Sequence, residues 1–183
     1  MKARAEAQDA TRRRITESAV ELHGTLGPSR TSMSAVAEHA GVRRSTLYRH
    51  FPDESALFHA CSSHWAAQNP PPDPTPWPEI EDPAERLRVA LGELYPWFRR
   101  NEGMMSNILR DLEMPVVQRE FTAFEAYAGA VRDILLAGRG RAPKATRGAI
   151  GHALSFTTWR SLALEQGLSD TAAAALMSRL VDG

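Results

Sequence analysis

TSMSAVAEHAGVRRSTLYRHFPDESALF, residues Thr31–Phe58, decides the fold. Met33, Val36, Ala37 and Ala40 recur at i, i+3, i+4 and i+7, one face of a 3.6-residue period. Ser32 stands just before that stripe, where a hydroxyl oxygen accepts an N–H left free at a helix start. Gly41 then supplies the backbone freedom of a tight helix-to-helix turn. In the next helix Leu47 and Phe51, four apart, face the core. Ser45, Thr46 and Arg49 lie opposite, with Arg44 and Tyr48 on one flank and His50 on the other. That outward face carries donors and a planar guanidinium, groups suited to base edges and phosphates. The pattern predicts a helix-turn-helix.

Working outward, the segment before it predicts a helix from Asp9, as N-cap, to Leu26, with Ile15, Ala19, Leu22 and Leu26 facing inward. Gly27 and Pro28 end it. Residues 1–8 read as a frayed basic arm, and Arg12, Arg13 and Arg14 as a solvated first turn able to add phosphate contacts. Behind Pro52, Asp53 is expected to cap a helix running to about Gln68, in which Leu57, Cys61 and Trp65 repeat every four residues. Cys61 therefore reads as packing. His59 and His64 are about 140° apart on such a helix, with no carboxylate near in sequence, so no metal is expected.

The clearest break is NPPPDPTPWPEI, where six of the twelve prolines fall between Pro70 and Pro78. It reads as an extended connector over residues 69–81. Beyond it Asp82-Pro83-Ala84-Glu85 opens a helix striped by Leu87, Leu91, Leu94 and Phe98. A short helix follows over Gly103–Leu112. Another starts at Pro115, with Phe121, Phe124, Ala128, Val131 and Leu135 inward. After a Gly-Arg-Gly-Arg loop at 138–141, one helix is expected from about Pro143 to Gln166. A last one is capped by Ser169 and striped by Ala173, Leu176, Met177 and Leu180. No strand pattern occurs. The prediction is an all-α chain of about nine helices, with a helix-turn-helix domain over 9–58 and a C-terminal domain over 59–183.

Composition agrees with a soluble globular chain, 43% hydrophobic and 24% charged over 183 residues. No apolar run suggests a membrane span, the N-terminus lacks the apolar core of a secretory signal, and one cysteine fits a reducing cytosol. The net charge is zero, but residues 1–60 hold nine Lys/Arg against seven Asp/Glu, leaving the first part net basic. The localisation expected is cytoplasmic.

With these residues read, the chain resembles the tetracycline-repressor (TetR) family of bacterial transcription regulators. The likeness is carried by Gly27, the Thr31-Ser32 pair, Ala37-Glu38, Ala40-Gly41-Val42, Thr46-Leu47-Tyr48 and Phe51, and more loosely by Glu165-Gln166-Gly167-Leu168-Ser169. The resemblance implies a homodimer paired through the last two helices and a ligand pocket in the C-terminal domain. It also implies release from operator DNA when a small molecule binds. Three positions depart from the family pattern: Arg43 where Ser or Thr caps the recognition helix, Glu54 where a lysine grips phosphate, and His23 in place of an aromatic.

The expected DNA-binding residues are Thr31, Ser32, Arg43, Arg44, Ser45, Thr46, Tyr48, Arg49 and His50, with Arg49 placed for a bidentate contact to guanine. The expected ligand-lining residues are Trp97, Met104, Met105, Ile108, Phe121, Phe124, Tyr127, His152, Phe156 and Trp159, adaptable and flat apolar groups that suit an apolar or aromatic effector. Plain core packing would place the same types at the same spacing. Gly148, Gly151 and Ser155 are small residues that let helices of two copies approach. No catalytic residue or cofactor is expected, since no metal quartet, phosphate loop or nucleophile elbow is present. The competing readings are a constitutive or architectural DNA-binding regulator and, more remotely, an all-α enzyme.

Overall fold

The computed structural model describes residues 2–182, the side chain of Ala3 excepted. Ten α-helices and no strand occur among them. They are α1 (Lys2–Thr25), α2 (Met33–His39), α3 (Arg44–His50), α4 (Glu54–Gln68), α5 (Pro83–Arg100), α6 (Glu102–Arg110), α7 (Pro115–Leu136), α8 (Lys144–Ala153), α9 (Phe156–Arg160) and α10 (Asp170–Asp182). The chain divides into two compact units. The first runs to Pro70 and resumes over Glu102–Thr122; the second comprises Pro71–Asn101 and the chain from Ala123 onward.

The first unit is built around α1. Ile15 and Ala19 are fully buried among Val36, Ala37, Leu47, Phe51, Leu57, Phe58 and Val117. The helix starts earlier than expected: residues 2–8 are helical, not frayed, and Asp9 lies exposed inside α1 rather than at its cap. Leu26 lies past the end of α1 and is 44% exposed, so the expected stripe stops at Leu22. Asn107 and Arg110 of α6 donate to the carbonyls of His23, Gly24 and Leu26, satisfying acceptors that the end of α1 leaves open. The unit around the helix-turn-helix thus takes in more chain than residues 9–58.

Local chemistry sets the helix-turn-helix itself. Ser32 accepts from Ala35 N at 3.1 Å, and Asp53 accepts from Ala56 N at 2.8 Å. At Gly41, φ is 63°, and Val42 N reaches Ala37 O at 2.9 Å while Gly41 N reaches Glu38 O at 3.0 Å. This pair of bonds is the Schellman closure that a left-handed residue permits.

The second unit centres on α5, whose Leu87, Leu91, Leu94, Tyr95 and Phe98 are buried against α9 and α10. The Pro-rich segment is more than a connector. It ends in a 3-10 turn, Trp77–Glu79, that buries Trp77, and Arg86 donates to the carbonyls of Trp77, Ile80, Ile134 and Ala137. That guanidinium is itself buried and closes the C-terminal end of α7 where the helix dipole is negative.

The single helix expected over 143–166 is two. Leu154 ends α8, and Ser155 turns to extended backbone, φ −77° and ψ 134°, with its hydroxyl bonded to that of Thr157 at 2.7 Å. Hydroxyl side chains offer the backbone such alternatives to a continuous helix. The Tyr95 hydroxyl donates to the Ala153 carbonyl at 2.9 Å, filling the acceptor that the break frees. A π-helical turn over Ser161–Glu165 follows α9, and Gly167 at φ 72° ends it. Ser169 caps α10 through Ala172 N, as its position predicts, but Leu180 is 65% exposed rather than core.

Candidate nucleic-acid interface

The recognition helix α3 is seven residues long and held from one side. Leu47 and Phe51 are completely buried, and Pro52 after Phe51 prevents further helix. Arg43 occupies the N-cap position in extended backbone without a side-chain cap bond, as expected of a residue with no acceptor. The opposite face is open: Arg43, Arg44, Ser45, Tyr48 and Arg49 are exposed, and Thr46 and His50 half-buried. The Arg44 guanidinium lies 5.9 Å from the Tyr48 ring centroid, one helical turn apart on the same flank. Apart from that ring contact, Arg44 and Arg49 present donors outward in the fork geometry that matches guanine edges and phosphate oxygens.

Two expected contacts sit differently. Thr31 is turned inward, 8% exposed, its hydroxyl donating to Gly27 O at 2.8 Å, so it shapes the turn before α2 rather than facing outward. His50 has its Nε2 buried without a hydrogen-bond partner. Burial first, then the nearby Arg49 and Arg12 charges, lower its pKa from the ordinary histidine value. Its ring is therefore a poor phosphate donor. Ser32 accepts at the α2 cap and keeps its own O–H to donate outward. Glu54 is exposed in the first turn of α4, favourable for the helix dipole and unable to take up a lysine's phosphate role.

The structure also accounts for residues around this face. His23 fills the place of an aromatic: it is buried, stands 5.1 Å from the Phe58 ring, and burial lowers its pKa to about 4 despite the nearby Asp111 carboxylate. Cys61 is buried against it, its thiol donating to Phe58 O at 3.2 Å and pushed up to about 12 by burial. His59 is committed to Glu120 at 3.1 Å and His64 to Gln68 at 3.0 Å, so the histidines of α4 are used separately. Arg12, read from sequence as solvated, donates to the His50 carbonyl at 2.8 Å. A contact 38 residues apart leaves no periodic signal in sequence.

The ten ligand-lining candidates divide between the two units. Met104, Met105, Ile108 and Phe121 belong to the first unit, where Ile108 packs on the helix-turn-helix core and Met104 Cε lies against α1 at Gly24. The other six belong to the second unit. There Tyr127, Phe124, Trp97 and Phe98 form a run of ring contacts at 5.6 to 6.0 Å, extended by Phe156 and Trp159. Trp159 is fully buried with its indole N–H on Asp170 at 2.9 Å, Tyr127 donates to Pro72 O at 2.9 Å, and His152 is exposed beside Thr158. The Tyr127 hydroxyl is raised by burial and stays protonated.

A buried helical scaffold presenting one arginine- and hydroxyl-bearing face beyond a glycine turn defines a helix-turn-helix domain of the DNA-binding class. Residues 15–61 match the family model "Bacterial regulatory proteins, tetR family", so the helix-turn-helix unit is similar to the DNA-binding domain of those regulators. The chain is 44% identical over 57 residues to the HTH-type transcriptional regulator AcrR of Shigella flexneri, a match covering 31% of this chain and 26% of that protein. It thus spans about a quarter of the length of the curated relative it matches. Among solved structures it is similar to NalD, the secondary repressor of the MexAB-OprM multidrug efflux pump in Pseudomonas aeruginosa. That likeness has TM-score 0.65 and 20% identity and covers 97% of this chain and 96% of that one. It is also similar to Thermus thermophilus FadR, a TetR family transcriptional repressor in complex with lauroyl-CoA, at TM-score 0.51 and 21% identity, covering 93% and 92%. No helix among the described residues is long and apolar enough to cross a membrane.

Proposed function

We propose that the chain is a ligand-responsive transcriptional repressor that binds a palindromic operator as a homodimer. The observation that carries the reading is the open α3 face of Arg44, Ser45, Thr46, Tyr48 and Arg49 on a core-anchored helix of the family's domain. Arg44, Ser45, Thr46 and Arg49 enter the major groove; Tyr48, Ser32 and Arg43 bond phosphates and fix register. Two copies place their recognition helices about 34–36 Å apart, one turn of DNA. Selection of bound sequences from random duplex DNA tests this directly, and recovery of no enriched motif would sink it. Replacing Arg49 with Ala should cost about 1–3 kcal/mol and relax preference at one base step, read by gel-shift titration on the selected sequence and its single-base variants.

The second unit is the effector and pairing region of this reading. Its run of aromatic rings suits an apolar or aromatic molecule, in keeping with the lauroyl-CoA complex of the Thermus regulator and the multidrug efflux pump that the Pseudomonas one represses. The effector acts by binding two arrangements of the protein unequally, shifting α4 and the spacing of the two α3 helices, with a differential of about 1–3 kcal/mol. A second copy pairs on α8–α10, where Gly148 and Gly151 have no neighbour within 4 Å of an added side chain and Leu164 and Leu180 are exposed. A monomer in sedimentation velocity at micromolar concentration would count against that arrangement. A small-molecule screen read by tryptophan fluorescence separates this reading from a regulator without effector.

A further inference from the structure

Three arginines stand in a row on α1, Arg12, Arg13 and Arg14, all exposed and all carrying the charge that a phosphate ligand needs. Only one of them reaches the recognition helix. The Arg12 guanidinium carbon lies 4.2 Å from the centroid of the buried Phe51 ring, and Nη1 donates to the His50 carbonyl at 2.8 Å. His50 is the last residue of α3, and its carbonyl is among the acceptors that a helix end leaves open. Pro52 follows within two residues and has no N–H to offer. Arg12 therefore brings a donor and a positive charge to the negative end of the α3 dipole. Arg13 instead stands 3.9 Å from Glu17 on the solvent side of α1.

The other end of α3 makes this contact matter more. Arg43 gives that end no side-chain cap, so a helix of seven residues is fixed by Leu47 and Phe51 from below and by Arg12 at its C-terminus. The ring of Phe51 is clamped between the core and the guanidinium, and Phe51 N bonds Leu47 O at 2.8 Å, which continues the clamp into the helix.

We infer that Arg12 is a positioning residue for the recognition helix, setting the pose of α3 from its C-terminal end, with its charge directed inward rather than to a phosphate. The inference rests on the DNA-binding reading above and assigns Arg12 a role different from that of its neighbour Arg14. A phosphate ligand contributes to affinity on all sequences and to the salt slope. A positioning residue contributes to discrimination and leaves the slope alone.

The test uses the full chain with Arg12→Ala, Arg12→Lys and Arg14→Ala, measured on the selected operator and on an unrelated duplex at several salt concentrations. Arg12→Ala should lose about tenfold or more of the operator-over-unrelated preference, with the salt slope and the affinity for the unrelated duplex unchanged. A shifted α3 pose costs base contacts in just this way, each of them worth about tenfold or more. Arg14→Ala should instead make the slope shallower by about one ion where it grips phosphate. Arg12→Lys keeps charge and a donor but not the flat ring contact, so it should fall between wild type and Ala in preference. It also reports the role if the alanine variant fails to fold. Preference retained in both Arg12 variants, or a shallower slope for either with preference intact, overturns the inference. Wild-type protein without preference for any duplex would instead remove the DNA-binding reading itself.

Discussion

The helix-turn-helix and the second unit differ in how far along the chain they reach to close their helix ends. In the first, the closing groups are mostly three to five residues away: Ser32 for α2, Asp53 for α4, and the Gly41 turn between α2 and α3, with Arg12 at the end of α3 the exception. In the second, local caps such as Ser169 on α10 are joined by groups from far along the chain. Arg86 closes α7 from 48 and 51 residues away, and Tyr95 fills the Ala153 carbonyl from 58. Local closure lets a segment hold its shape with a small core and leaves a face open. Distant closure makes shape depend on the whole unit, and such a unit can rearrange when its interior changes.

The largest expected effects compare the two cores. Phe98→Ala and Leu47→Ala should each cost about 2–5 kcal/mol, because both side chains are fully buried and leave cavities. Trp77, Trp97 and Trp159 lie in the second unit, so tryptophan fluorescence in a urea titration should report Phe98→Ala more strongly than Leu47→Ala. Equal displacement of fluorescence and of far-ultraviolet dichroism in both variants would show one cooperative unit and break the comparison.

Acid should act next, and on the first unit. The folded pKa of His23 is about 4, well below the ordinary 6.5, chiefly because burial disfavours the charged ring. Below pH 6.5 the unfolded chain takes up a proton that the folded chain refuses. Stability is therefore full above pH 6.5 and falls by about 3 kcal/mol as pH drops toward 4. His23→Phe should flatten that window in denaturation measured at pH 7, 5.5 and 4.5. An unchanged pH profile would mean that the ring is charged in the fold.

The smallest effects sharpen the contrast in helix closure. Tyr95→Phe leaves the buried Ala153 carbonyl without its donor and should cost about 1–3 kcal/mol. Ser32→Ala, at an exposed cap, should cost about 1 kcal/mol. A larger loss for Ser32 than for Tyr95 in paired thermal melts would reverse the order that the geometry gives.

What the sequence determined by itself follows the same line. The caps, the glycine turn, the Leu47–Phe51 anchor and the open face of α3 were readable because each depends on residues within a few positions. The periodicity that marks them survives only where one side is buried. Thr31 was misplaced because a hydroxyl beside a cap looks the same whether it faces solvent or, as here, bonds Gly27 O. Only the tertiary structure decided the break between α8 and α9, since no glycine or proline announces it and the donor that permits it is Tyr95. It alone decided the burial of Trp77 inside a proline-rich run and the clamp of Arg12 on α3. Those features rest on donors and rings brought together across dozens of residues, a distance over which a helical period carries no information.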